Sequence, residues 1–288
     1  MFPQVQSFHD AVTGTVSHIV YAGAGSPCAV IDPVLDYDAV SGRTSKGSLG
    51  RIVAFIGEQQ LSVAWILETH VHADHLSGAV ELQCKTGGKI AIGARIADVR
   101  SLFSATFDLS GSHGFDHLFA PDEMFAIGAL QARAIPTPGH TPADSAYLIG
   151  DALFVGDTLF MPDLGTARCD FPGGDACVLY ASIKQLLALP ETTRVFVCHD
   201  YPPAGRDVRV CTTIAEQRRD NIHVRDGISE SDFVAMRRAR DHTLKLPALL
   251  FPAMQVNLRG GRLPERESNG RRYLKVPLDE RLLTGDVS

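Results

Sequence analysis

"THVHADHLSGA", residues 69–79, places His70, His72, Asp74 and His75 within six consecutive positions. The preceding "WILETH" reads as a strand whose apolar run ends at Thr69. The four polar side chains then fall in the loop beyond it, ahead of a helix expected to start near Leu76. Residues two apart point to the same side of an extended chain, so His70 and His72 face one point. A turn into the helix would swing Asp74 and His75 toward a neighbouring point. Burying so many polar groups without compensation is expensive, so the cluster calls for something to bind.

Three later segments repeat this placement. His140 in "TPGHTPAD" follows a strand ending near Ile135, Asp157 in "FVGDTLF" follows "ALFV", and His199 in "VFVCHDY" follows "RVFV". Each sits just past an apolar strand, so all of them converge if those strands end at one sheet edge. Imidazole and carboxylate together suit zinc, iron or manganese better than calcium or magnesium.

Around these motifs the first two hundred residues read mostly as short strands bounded by Gly, Pro or Asp. Helical patterns lie between them at about 49–60, 76–87 and 175–189, the last opening on Asp175 and stopping at Pro190. Two more follow at about 207–223 and 230–242, the second behind a capping-box-like "SESD". The tail from about 243 is irregular and Pro-rich, expected to wrap the main domain. The organisation expected is therefore a catalytic domain over 1–242 with an extension, 243–288, packed on it. Strands mixed with helices point to stacked layers of an α/β fold.

Composition narrows the function. With 288 residues and 45% hydrophobic content the chain has ample material for a core. A formal charge of −6 and no sustained basic run speak against a nucleic-acid surface. "RRAR" at 237–240 reads as a solvated helix face. No stretch approaches the roughly 18 apolar residues of a membrane span. The start, "MFPQVQSFHD", lacks the basic and apolar regions of a secretory signal. Six scattered cysteines with no C-x-x-C pair fit a reducing cytosol, so a cytoplasmic location is expected.

The ordered set "THVHADH", "TPGHT", "GDTLF" and "CHDY" resembles the metallo-β-lactamase superfamily over roughly residues 12–225. That resemblance implies an αββα four-layer sandwich with its metal site at one edge of the paired sheets. A second stretch, "GDTLFMPDLGTARCDFPGGDA" at 156–176, resembles the persulfide dioxygenases (sulfur dioxygenases), especially their longer bacterial branch. Its R-x-D-F core is Arg168, Asp170 and Phe171, and the tail "MQVNLRGGRLP" is also similar. This resemblance implies one Fe(II) per chain on His70, His140 and Asp157. His72, Asp74, His75 and His199 then support that site or form a second one. Arg168 is expected to hold an anionic substrate or steady charge on the oxidised sulfur, and Asp170 to orient Arg168 or a ligating histidine. The activity implied is oxidation of a thiol persulfide, foremost glutathione persulfide, by dioxygen and water to sulfite and thiol. Its expected partners are those small molecules, with no nucleic acid and no membrane, and a homodimer stays open.

The alternative is a dinuclear zinc hydrolase of thioesters or lactones, similar to glyoxalase II. In the hydrolytic members the resemblance implies one metal on His70, His72 and His140, another on Asp74, His75 and His199, and Asp157 as the bridge. All seven are present, so the ligand inventory leaves both readings standing. A non-catalytic metal-binding or sulfur-sensing protein is a third reading, against which the open-faced ligand set argues. There are also departures. The shorter branch has a cysteine where Thr166 stands, and Cys169 and Cys198 read as packed cysteines. Tyr201 is a weak candidate donor, while His113 and His117 read as exposed or structural. The helical domain with which glyoxalase-type thioesterases grip glutathione has no match.

Overall fold

Short β-branched runs punctuated by Gly, Pro and Asp form strands, as their pattern predicts. The computed structural model describes residues 2–109 and 114–278, which leaves His113 outside. The first half runs β1 (Gln4–His9), β2 (Val16–Tyr21), β3 (Pro27–Ile31), β4 (Val34–Asp38), β5 (Arg43–Ser45), α1 (Gly47–Glu58), β6 (Ser62–Leu67), β7 (Leu76–Ser77), α2 (Ala79–Thr86), β8 (Lys89–Gly93), α3 (Ile96–Phe103) and β9 (His117–Phe119). The second half runs β10 (Met124–Ile127), β11 (Leu130–Pro136), β12 (Ser145–Ile149), β13 (Ala152–Phe154), α4 (Ala176–Leu187), β14 (Arg194–Phe196), β15 (Cys211–Thr213), α5 (Ile214–Asp220), α6 (Glu230–Asp241) and α7 (Leu250–Asn257).

One sheet has the order β1-β2-β3-β6-β8-β9, the other β10-β11-β12-β13-β14-β15, and a small one β5-β4-β7. Period-two alternation sorts the side chains of the first sheet between two cores. Ile19, Val30, Ile66 and Ile90 pack outward against Leu49 and Ile52 of α1, Leu82 of α2 and Val99 of α3. Their neighbours Val20, Ala29, Ile31, Leu67 and Ala91 face inward to Ala132, Tyr147, Phe154 and Phe196 of the second sheet. That sheet's other face, with Ile135, Leu153 and Val195, carries Leu179 and Ile183 of α4, Ile214 of α5 and Phe233 of α6. Helix, sheet, sheet and helix form the four layers of the expected αββα sandwich.

Several elements differ from expectation. α2 starts at Ala79 because Leu76 and Ser77 instead pair with Leu35 and Val34 of β4. The 207–223 pattern yields only α5, since Cys211–Thr213 adds β15 to the sheet edge beside β14. The tail contains α7, whose Leu250, Ala253, Met254 and Val256 are buried in the outer core of the first sheet. Arg237 is not on a solvated face: it is 1% exposed, paired with Asp241 at 2.9 and 2.6 Å. Asp175 does cap α4, accepting from the Val178 amide at 2.9 Å. Among the described residues no helix is long and apolar enough to cross a membrane.

One buried histidine ties the sheets to acid stability. His18 on β2 lies between the sheets, near Phe154 and Phe196, with Nε2–H donating to the Val197 carbonyl at 3.0 Å and Nδ1 accepting from Ser7 at 2.9 Å. Burial pushes its pKa down to about 4, against the pull of the Val197 bond and of Asp32. Between that value and the ordinary 6.5 the unfolded chain binds a proton that the folded chain refuses, so stability falls as pH drops through this window. We expect His18→Gln in metal-free protein to remove about 1.4 kcal/mol per pH unit from the slope of unfolding free energy between pH 6 and 4.5. Urea titrations at several pH values check this; equal slopes for both proteins refute it.

Candidate metal centre

The loops that leave β6, β11, β13 and β14 all end at one rim of the sandwich, and each brings ligand-type side chains. Ligand atoms of His70, His140 and Asp157 lie within 4.8 Å of one another, as do those of His72, Asp74 and His75. Two glycines let the chain pass closely enough. At Gly139 φ is +142°, and a Cβ there would sit 2.3 Å from the Leu179 Cα of α4. At Gly156 φ is +52°, and a Cβ would meet the Thr69 hydroxyl at 2.7 Å.

Hydrogen bonds fix which nitrogen of each imidazole faces the centre. Thr69 donates its hydroxyl to Asp32 Oδ2 at 2.8 Å, so it accepts from His70 Nδ1–H at 3.0 Å. His140 Nδ1–H donates to the Arg168 carbonyl at 2.7 Å. The Nε2 lone pairs of both rings therefore face Asp157 Oδ2, at 3.8 Å from His70 and 3.6 Å from His140. Donors bound to one first-row metal at about 2.1 Å sit roughly 3–3.4 Å apart, so a small contraction would seat an ion. His199 turns Nδ1 to the Tyr201 hydroxyl at 3.1 Å, leaving Nε2 at 3.4 Å from Asp157 Oδ1 and 3.5 Å from Asp74.

His72 is turned the other way. Its Nε2–H faces Asp32 at 3.0 Å and Glu68 at 3.3 Å, which aims Nδ1 elsewhere. His72 Nδ1, His75 Nε2 and Asp157 Oδ1 are all buried without a hydrogen-bond partner. Orphaned buried polar atoms are rare, and three in one cluster of metal-ligand chemistry fit a cation held here. The electrostatics agree. Burial holds the His70 pKa well below its ordinary value, reinforced by charge on His72, so its ring is neutral and its lone pair free. Burial opposes charge on His72 as well, yet Asp32 and Glu68 lift that pKa well above normal. This part of the site is built to carry positive charge.

The backbone spends strain to place Asp32, which adopts φ +49° at the end of β3. From there its carboxylate accepts from the Thr69 amide at 2.8 Å as well as from Thr69 Oγ1 and His72. Asp32 and Glu68 lie outside the ligand motifs that the sequence pattern marks. Asp32 was findable, because it follows the apolar "CAVI" just as Asp157 follows "ALFV".

Arg168 lines the cavity, with three of its five N–H donors engaged. Nε and Nη2 bind Asp170 at 2.5 and 2.6 Å, and Nη1 binds the Lys245 carbonyl at 2.7 Å. Its backbone carbonyl is what touches His140. Beneath it, Asp241 accepts from the Cys169 amide at 2.8 Å, and Arg237 donates to the Thr166 carbonyl at 3.2 Å. Cys169 and Cys198 are buried, and burial pushes both thiols up, Cys198 lying 3.6 Å from Asp32. Tyr201, half-exposed, stacks on His199 as well as bonding to it. His117 pairs with Glu123 at 2.8 Å and does not line the cavity. That cavity encloses ≈ 1630 Å³ and reaches His75, His140, Asp157, Arg168 and His199.

Residues 12–199 match the protein family described as the metallo-beta-lactamase superfamily. The chain belongs to that superfamily. It is 49% identical to a probable metallo-hydrolase of Burkholderia pseudomallei, over 96% of this chain and 99% of the relative. It is likewise 49% identical to glyoxylase B2 of Dictyostelium discoideum, over 96% and 97%. Among solved structures it superimposes on ETHE1 from Myxococcus xanthus with a TM-score of 0.73 and 27% identity, covering 91% of this chain and 100% of that one. In this superfamily chain, Asp32→Ala removes the acceptor that sets both the His72 tautomer and Thr69. We expect metal affinity to fall about 10–100-fold in chelator competition, the usual effect of losing a group that orients ligands. An affinity within twofold of wild type would refute the role given to Asp32.

Proposed function

We propose that this chain is an Fe(II)-dependent persulfide dioxygenase: a thiol persulfide, dioxygen and water give the thiol and sulfite. The balance is RSSH + O2 + H2O → RSH + H2SO3, with four electrons passing from sulfur to dioxygen as the S–S bond breaks. The observation that carries it is the convergence of His70, His140 and Asp157, the last two of which line a ≈ 1630 Å³ cavity. Two imidazoles and one carboxylate on one face are the set that holds ferrous iron and leaves positions for a sulfur donor and a gas. The likeness to ETHE1 and the Arg168–Asp170–Phe171 segment support the reading.

The chain's own residues supply position and dryness. Thr69 and the Arg168 carbonyl lock the two imidazoles with Nε2 forward, so little reorganisation remains when substrate arrives. Asp170 holds Arg168 as a bidentate pair, which fixes that carbonyl against His140 and keeps a paired guanidinium on the cavity wall. Phe171 packs its ring 6.2 Å from the His140 ring and limits water on that side. The cavity is wide enough for a substrate the size of a small peptide thiol.

One observation favours a second reading, a dinuclear zinc hydrolase. Asp157 presents Oδ2 to His70 and His140 and Oδ1 to His199, the placement of a bridging carboxylate, and the relatives named above include a metallo-hydrolase and a glyoxylase. Metal analysis after anaerobic purification, followed by oxygen uptake on adding glutathione persulfide, separates the two. The expected result is near one iron per chain and one sulfite per dioxygen. An Asp74→Ala/His75→Ala double variant is expected to keep that iron, whereas His70→Ala loses both metal and uptake. Two zincs per chain, no oxygen uptake and thioester cleavage abolished in the double variant would establish the hydrolase instead.

A further inference from the structure

Asn257, the last residue of α7, is 4% exposed and reaches across about 180 positions of sequence to the metal loop. Its Nδ2 donates to the His72 carbonyl and to the His75 carbonyl, both at 2.8 Å. Its Oδ1 accepts from the Ser77 amide at 2.8 Å. Ser77 in turn donates its hydroxyl to Glu68 Oε1 at 2.5 Å, and Glu68 Oε2 lies 3.3 Å from His72 Nε2. We infer that Asn257 is a positioning residue of the metal centre, through which the C-terminal helix sets the segment 72–75 and hence the orientation of His72, Asp74 and His75.

The physical need is plain. Residues 68–75 form no helix or strand, so their buried carbonyls have no ladder partner and must be satisfied otherwise. One primary amide supplies two N–H donors and an acceptor within a single rigid plane. It thereby clamps both ends of the four-residue segment that carries His72, Asp74 and His75. Aspartate keeps only the acceptor, and serine is too short to span all three contacts. The anchor itself is firm, because Leu250, Ala253, Met254 and Val256 seat α7 in the outer core. Beyond it Gly261 passes so close to Ser77 that a Cβ would sit 3.1 Å from the Ser77 carbonyl. The inference goes beyond the proposed reaction and holds for either metal, because the clamped segment is continuous with His70 in the same irregular loop, so releasing it disturbs the His70 side of the centre even where Asp74 and His75 are not ligands.

Cobalt(II) is the probe, since its absorption spectrum reports coordination without redox chemistry. Affinity is measured by chelator competition on full-length wild type, Asn257→Asp, Asn257→Ser and Gln255→Ala, alongside thermal unfolding of each metal-free protein. Gln255 is the control: it lies on the same helix and is buried, but bonds Phe251 and Lys275 rather than the metal loop. The expected result is cobalt affinity about 10–100-fold weaker and an altered spectrum in both Asn257 variants. Gln255→Ala should melt earlier yet bind cobalt as wild type does. Wild-type affinity and spectrum in a folded Asn257 variant overturn the inference, as does an equal loss in Gln255→Ala. If neither Asn257 variant folds, hydrogen exchange on wild type decides: added zinc should slow exchange at the Ser77 amide and the end of α7, and unchanged rates there overturn it. A wild type that takes up no cobalt refutes the metal centre itself, and this clamp with it.

Discussion

Everything at the rim depends on where the imidazole protons sit. A buried histidine can serve as a ligand only if its other nitrogen is occupied, and each ring here has such a partner. Thr69 accepts from His70 Nδ1–H, the Arg168 carbonyl accepts from His140 Nδ1–H, and the Tyr201 hydroxyl faces His199 Nδ1. His72 is reversed by Asp32 and Glu68. These partners come from four different stretches of chain, around residues 32, 68–69, 168 and 201. The ligand set is therefore a product of the whole sandwich rather than of one loop, and its preorganisation resides in hydrogen bonds that need no metal to form.

The sandwich makes such convergence cheap. Strands alternate between an outer and an inner core, so their registers are set by burial and their ends reach a common edge. Loops at that edge can then carry polar groups that no core would accept. The cost appears locally, in the left-handed backbone of Asp32 and in the close approaches at Gly139 and Gly156. Strain gathered at ligand-bearing loops is what a site held rigid before binding requires.

The C-terminal fifth of the chain supports the site from both sides. Arg237 and Asp241 on α6, with the Lys245 carbonyl, fix the 166–170 segment whose Arg168 carbonyl orients His140. Asn257 on α7 fixes the opposite loop. Arg168 is part of that frame, because Asp170 and the Lys245 carbonyl take three of its five N–H donors, and the other two leave a role toward an anionic substrate open.

The sequence by itself determined the inventory of candidate metal ligands and the layered α/β fold. Both are written locally: apolar runs of strand length, each followed within about five residues by histidine or aspartate. It put the start of α2 three residues early, read the tail as irregular and placed Arg237 on a solvated face, because each depends on partners that the local pattern does not reveal: Leu35 and Val34, the outer core, and Thr166 with Asp241. Only the tertiary structure decided which nitrogen of each ring faces inward, and that Asp32, Glu68 and Asn257 belong to the site. The reason is physical. Ligand identity is a property of single residues, whereas a tautomer and its orientation are set by hydrogen bonds to groups that sequence proximity does not reveal.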